Sequence, residues 1–160
     1  MSSQPSTGTG ELSAAERAFY SRQLILPEMG YEAQLALKRA RVVVLGAGGL
    51  GAPALLYLAG AGVGQIVVVD DDVVDASNLH RQVIHTHARV GNSKAESAAE
   101  SLRSLNPFIE VVPVRERLTE ANVDELLSGA DLVLDGSDNF ESRYVVSAAA
   151  ARAGIAHVWA

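Results

Sequence analysis

The sequence predicts an α/β fold: a Rossmann-like parallel sheet with helices on both faces, preceded by N-terminal helices. Three observations predict it. The segments "RVVVLG" (41–46), "QIVVVD" (65–70) and "DLVLDG" (131–136) are short, continuous and apolar, the pattern of strands buried on both faces. Helical patterns alternate with them in the order βαβαβ(α)βαβ, which wraps a parallel sheet. The run "GAGGLG" (46–51) stands directly between a strand and a helix, where a glycine turn admits a phosphate to the backbone.

The elements follow in order. Residues 1–12 are rich in Ser, Thr, Gly, Pro and Gln and carry too little apolar surface to order themselves, so they read as a disordered tail ahead of one nucleotide-binding domain over 13–160. Ser13 is a candidate N-cap, with Glu16 completing a capping box for a helix through "AAERAFYSRQL" (14–24). Pro27 interrupts it. "PEMGYEAQLALKRA" (27–40) reads as a second helix with Leu35 and Leu37 as apolar contacts, its end favoured by Lys38, Arg39 and Arg41. After the first strand and the glycine turn comes the helix "LGAPALLYLAGAG" (50–62), then the second strand and a polar loop with Asp71, Asp72, Asp75 and "SNLHRQ" (77–82). The helix "SKAESAAESLRSLN" (93–106) stops before Pro107. "IEVVPVRE" (109–116) is a third strand that Pro113 places toward an edge. A short helix near "NVDELLSG" (122–129), the strand "DLVLDG" and a helix "NFESRYVVSAAAARAG" (139–154) follow, the last ended by Gly154. "IAHVWA" (155–160) opens a fifth strand. A buried strand is a poor natural terminus, so the polypeptide is expected to continue past Ala160.

Composition narrows the function. With 160 residues there is enough chain for one domain with a real core. A net charge of -6 without any Lys/Arg run argues against a nucleic-acid surface. The absence of cysteine excludes disulfides, zinc-thiolate sites and a cysteine nucleophile within these residues. The polar N-terminus is no secretion signal, and the apolar run near 52–63 is interrupted by Gly60 and Gly62 and is too short to span a bilayer. The expectation is a cytoplasmic protein with no membrane partner.

Gly46, Gly48 and Gly51 form G-x-G-x-x-G. The first glycine makes the tight turn, the second admits a phosphate and the third lets helix and strand approach; the helix N-terminus adds N–H donors and partial positive charge. Asp70 closes the next strand, where a carboxylate accepts hydrogen bonds from ribose hydroxyls. A turn used only for packing is the plainer alternative, and nothing in this motif separates NAD from ATP.

Further residues weigh toward a triphosphate. Asn78 and Arg81 lie three apart, on one face of a helical turn, and an amide with a guanidinium suits phosphate oxygens; an exposed polar turn would look the same. Lys94 occupies the first turn of a helix, against the dipole, which makes sense if it holds an anion, although a surface lysine is also tolerable there. Asp135 and Asp138 stand at the carboxyl end of a strand, where ligands of open sheets bind. Asp138 is a candidate Mg²⁺ ligand and equally a candidate N-cap for the next helix. The four histidines read as scattered loop and surface residues.

In these motifs, "YSRQLIL", "GAGGLG", "GVGQIVVVDDDVVDASNLHRQ", "VGNSKAESA", "NP" and "LDGSDNFESRY", the chain resembles the E1-like adenylyltransferases, and within them the MoeB/ThiF group. The match runs from Tyr20 to Trp159. The resemblance implies an enzyme that takes Mg·ATP and the Gly-Gly carboxylate of a small ubiquitin-fold sulfur-carrier protein, forms an acyl-adenylate and releases pyrophosphate ahead of thiocarboxylate formation, in molybdopterin, thiamine or related biosynthesis.

The same resemblance implies roles. Gly49 lies against the nucleotide within the turn formed by Gly46, Gly48 and Gly51. Asp70 binds ribose. The stretch Ser77, Asn78, Leu79, His80 and Arg81 borders the nucleotide, with Asn78, Arg81 and Lys94 on the phosphates. Asp138 holds magnesium, with Asn139 beside it. Arg22 reaches the phosphates bound by the partner subunit of a homodimer. Arg22, Arg81, Lys94 and Asp138 are therefore the expected catalytic set. No side-chain base is needed, because the attacking carboxylate is already ionised at neutral pH. The family's zinc site uses paired cysteines beyond the residues present here, so Zn²⁺ is expected only downstream, and "SAAAARAG" (147–154) departs from the run often found there. A non-catalytic E1-like module and, less in keeping with the extra cations, an NAD-dependent oxidoreductase are the alternatives.

Overall fold

The computed structural model describes residues 10–137 and 140–159, Phe140 by its backbone alone. Helix α1 (Ala14–Phe19) begins as expected: the Ser13 hydroxyl accepts the Glu16 N–H and the Glu16 carboxylate accepts the Ser13 N–H. The chain then breaks at Tyr20, whose side chain is buried, and resumes as α2 (Ser21–Leu24). The expected single helix is thus two. Helix α3 (Gly30–Arg39) starts later than Pro27, after turns closed by Gly30 in the left-handed region at φ +64°. Residues 1–9 of the expected tail lie outside the described residues. Leu12 is buried, with its N–H donating to the Tyr31 hydroxyl at 3.2 Å.

Strands β1 (Arg41–Leu45), β2 (Gln65–Val69), β3 (Glu110–Val114), β4 (Leu132–Asp135) and β5 (Ala156–Trp159) form one parallel sheet in the order β3-β2-β1-β4-β5. Side chains alternate across the pleat, which divides the core in two. Val42, Val44, Ile66 and Val68 pack under α4 (Gly51–Ala61) and α5 (Lys94–Leu105), against Leu55, Ala59, Ala98 and Leu102. Val43, Leu45, Val67, Val69 and Val133 face α6 (Val123–Leu127) and α7 (Phe140–Ala153), against Val123, Leu127, Val146 and Ala149. Each fully buried Val or Leu contributes about 1.5–3 kcal/mol by leaving water, so a sheet covered on both faces explains the uninterrupted apolar strands. Pro113 lies in β3, an edge strand, as expected. The other edge differs from expectation: Val158 and Trp159 of β5 are exposed rather than buried.

The N-terminal helices are fastened to this body through polar contacts. The Asn106 amide donates to the Tyr20 hydroxyl at 2.8 Å and to the Ala59 carbonyl at 2.7 Å. Gln34 and Gln23 donate to the carbonyls of Ala61 and Gly60 at the end of α4. Gly62 closes α4 at φ +89°, and a Cβ there would sit 2.7 Å from the Tyr20 ring. Among the described residues no helix is long and apolar enough to cross a membrane.

Candidate functional site

In the order β3-β2-β1-β4-β5 the chain leaves β1 toward one side of the sheet and later builds β4 on the other. The loops after β1 and β4 therefore diverge and open a crevice at the carboxyl ends of the strands. A cleft of about 650 Å³ occupies that position. Its walls come from the glycine turn (Gly46, Gly48, Gly49), the end of β2 (Asp70, Asp71, Asp72), the polar loop (Asn78, Arg81, Gln82), Lys94 at the start of α5, the loop after β3 (Glu116, Arg117, Leu118) and the loop after β4 (Gly136, Ser137).

The glycine turn is built by contacts that leave little slack. Gly46 adopts φ +85° and its N–H donates to the Val69 carbonyl at 2.9 Å. A Cβ on Gly51 would fall 1.8 Å from the Gly46 carbonyl oxygen, so only glycine lets α4 start this close to the strand it follows. At Gly48 and Gly49 an added Cβ would meet nothing nearer than the side chains of Gln82 and Arg81, at 3.5 Å. That stretch of backbone is the open floor of the cleft.

Asp70 ties the floor to β2. Its Oδ2 accepts the Ala47 N–H at 2.8 Å and its Oδ1 accepts the Asp72 N–H at 2.9 Å. Burial pushes its carboxyl above the ordinary carboxylate value, against these two donors and the nearby charge of Lys94. On the facing wall the Arg81 guanidinium donates to the Asn78 Oδ1 at 2.7 Å, so the spacing of three does bring this pair together. Lys94 is 6% exposed and its Nζ lies 2.8 Å from the Asp72 Oδ2. It is no surface lysine, and the anion it holds in this structure is a side chain of its own chain.

Of the residues expected from sequence, Gly46, Gly48, Gly49, Asp70, Asn78, Arg81 and Lys94 line the cleft; Gly51, Ser77, Leu79, His80 and Arg22 do not. Gly51 is buried behind the turn. Ser77 donates from its N–H and hydroxyl to Asp75, whose carboxyl these bonds hold below its ordinary value. The His80 Nδ1 donates to the Ser77 carbonyl at 2.9 Å. Arg22 is exposed on α2. Asp138 and Asn139 lie outside the described residues. Asp135 is fully buried, its Oδ1 accepting the Ser137 N–H at 3.0 Å and hydroxyl at 2.6 Å; it shapes the turn after β4 and is not on the cleft wall. Its Oδ2 lies 3.9 Å from both the Arg143 Nε and the His157 Nε2.

Sequence reasoning missed Asp72, Gln82, Glu116 and Arg117 as wall residues, and it placed His85 among surface histidines, whereas His85 is buried. Asp72 carried a usable signal, two positions past Asp70 in an acidic run. Glu116 and Arg117 carried none, because only the sheet order brings the β3 loop here. Among the described residues no three His, Asp or Glu side chains are grouped as a metal cage. The cleft combines fixed cations, a helix N-terminus and a half-buried carboxylate, which together suit a polyanion carrying hydroxyl groups.

Comparison with known proteins gives a consistent picture. The profile of the ThiF family matches residues 20–160. The chain is 57% identical over 148 residues to the probable adenylyltransferase/sulfurtransferase MoeZ of Mycobacterium tuberculosis, covering 92% of this chain and 38% of the relative. It is 54% identical over 139 residues to the SAMP-activating enzyme E1 of Haloferax volcanii, covering 87% and 52%. Among solved structures it is similar to the E. coli tRNA N6-threonylcarbamoyladenosine dehydratase TcdA in complex with ATP, with a TM-score of 0.87 and 32% identity over 92% of this chain and 60% of that one. The chain thus spans between 38% and 60% of the length of these proteins.

Proposed function

Because this chain belongs to the ThiF family, we propose that it is the nucleotide-binding part of an adenylyltransferase that activates the C-terminal glycine carboxylate of a small ubiquitin-fold sulfur carrier. The observation that carries this reading is the meeting of Arg81, Asn78 and Lys94 with the open backbone of Gly48 and Gly49 in one cleft. A hydride-transfer site holds no γ-phosphate for these cations to meet. The ATP complex of the similar TcdA structure supports the same ligand here.

In this reading ribose hydroxyls donate to Asp70, and the phosphates lie over Gly48 and Gly49. The carrier carboxylate attacks the α-phosphorus, the bond from that phosphorus to the bridging oxygen breaks, and pyrophosphate leaves. Two anions must approach each other, so the chemistry depends on neutralising charge. Arg81 offers paired N–H donors, and Lys94 a point charge held in a low-dielectric wall, where it acts more strongly than in water. Asp138, beside Asn139, would hold a magnesium ion, which when bound supplies further neutralisation of the phosphates. Arg22, exposed on α2 and absent from the cleft wall, is assigned to the phosphates of a second copy in a homodimer.

The test is ATP–pyrophosphate exchange by the full-length enzyme with a carrier ending in Gly-Gly. Exchange that requires the carrier and is abolished in Asp138→Ala is the expected result. A wild-type enzyme that shows no exchange with any such carrier overturns the reading, and an Asp138→Ala enzyme at wild-type rate overturns the metal assignment.

A further inference from the structure

We infer that His85 is a positioning residue for the glycine turn, fixing the peptide between Ala47 and Gly48 so that the Gly48 N–H faces the ligand. The inference rests on the nucleotide reading of the cleft and adds to it a residue that touches no ligand. His85 is 5% exposed and lies in the loop between β2 and α5. Its Nε2 is 2.9 Å from the Ala47 carbonyl oxygen and its Nδ1 is 2.9 Å from the Ser97 hydroxyl. A carbonyl oxygen only accepts, so Nε2 carries the proton and donates; Nδ1 is then the acceptor, and Ser97 donates to it. Ser97 sits on α5 and is itself buried, at 1%. The ring is therefore oriented by one helix and used to hold a turn that belongs to another part of the chain.

The consequence follows from peptide geometry. The Ala47 carbonyl and the Gly48 N–H share one plane and, in a trans peptide, point opposite ways. A carbonyl held inward by His85 turns the Gly48 N–H outward, away from the ring, and Gly48 is on the cleft wall. The preceding peptide is held as well, since the Ala47 N–H donates to Asp70. Between them Asp70 and His85 clamp Ala47 on both sides, while Gly48, with no side chain, has the backbone freedom that would otherwise let this plane rotate. Burial pushes the imidazole pKa below its ordinary value, against the bond to Ala47 and the charge of Asp70, with Lys94 and Arg89 adding to the downward push. At neutral pH the ring is therefore uncharged, and the carbonyl of Ala47 fixes the tautomer the clamp requires.

The experiment is a calorimetric titration of Mg·ATP into the wild type, His85→Phe and His85→Gln, with the KM and kcat of pyrophosphate exchange measured alongside. The Gln amide nitrogen can replace Nε2 as donor to Ala47, whereas Phe fills the space without a donor. The expected result is about a tenfold weaker ATP affinity in His85→Phe, seen as a raised KM with kcat changed by less than about threefold, and affinity within about threefold of wild type in His85→Gln. If the Phe variant does not fold, Ser97→Ala decides, with an expected loss of about three- to fivefold as the ring loses its orienting partner. A folded Phe variant, or failing that Ser97→Ala, that binds ATP as the wild type does overturns the inference alone. A wild type that binds no ATP overturns the nucleotide reading and the inference with it.

Discussion

Lys94 and Asp72 meet 2.8 Å apart at the cleft, yet the lysine side chain is 8% exposed and the aspartate side chain 69%. The two ends of this pair are therefore not equivalent. Removing the lysine charge leaves an aspartate that water already solvates. Removing the aspartate charge leaves a buried ammonium whose nearby anions are the half-buried Asp70 and the exposed Asp75, neither of them in contact with it. We expect Lys94→Met to change folding stability by less than about 1 kcal/mol while weakening ATP binding about tenfold, and Asp72→Asn to cost about 1–3 kcal/mol of stability. Chemical denaturation and ATP titration of both variants check this; equal stability losses would refute the asymmetry.

Arg81 is exposed, and its stem lies across Gly49. Arg81→Ala should leave stability within about 0.5 kcal/mol of wild type, as for other surface changes. Pyrophosphate exchange should fall about 100-fold, the typical effect of deleting a donor aimed at developing charge. Arg81→Lys should recover only part of the loss, because an ammonium cannot reproduce a paired guanidinium contact. Steady-state exchange rates at saturating ATP decide between these outcomes.

Gly51→Ala should be among the most disruptive single-methyl changes in the molecule. The added carbon would lie 1.8 Å from the Gly46 carbonyl oxygen, and both partners are backbone. The turn can relieve this only by moving α4 off the sheet, at a cost of about 3 kcal/mol or more. Gly48→Ala, whose nearest neighbour is a side-chain nitrogen at 3.5 Å, should fold normally and lose nucleotide affinity instead. Thermal melts with and without ATP separate the two effects.

The depressed pKa of His85 gives a pH dependence of definite sign. Below about pH 6.5, the ordinary imidazole value, the unfolded chain takes up a proton that the folded chain still refuses. Stability is therefore full above that pH and declines as pH falls from it toward the folded value. Asp70, whose pKa burial raises, acts in the opposite sense and is present in both proteins compared. Between pH 7.5 and 6.0 the wild type should lose more melting temperature than His85→Gln, with the other histidines common to both. Parallel melts across that window are the measurement.

Much of the fold and of the outline of the cleft was legible because its signals are local. Gly46 and Gly51 in the tight turn, the contact of Asn78 with Arg81 and the Ser13 cap depend on spacing within a few residues, the edge placement of Pro113 follows from its missing N–H, and each stands where the sequence put it. What was not legible arrives through long loops. His85 meets Ala47 thirty-eight positions away, and Lys94 meets Asp72 twenty-two away; nothing in either neighbourhood announces the other. The break at Tyr20 belongs to the same class. "AAERAFYSRQL" has ordinary helical propensity throughout, and tertiary burial of one aromatic ring overrides it.

The bond between Tyr20 and Asn106 has a mechanical corollary. It moors the segment bearing Arg22 to the interior of the fold, two residues from that arginine, and Gln23 adds a second mooring on the other side. The backbone that carries Arg22 is thus tied to the fold on both sides, while its side chain is exposed. On the role proposed for Arg22, the phosphates it meets have to be brought to it on the surface of a second copy, so the fit between the two surfaces then bears on the rate alongside the groups inside the cleft.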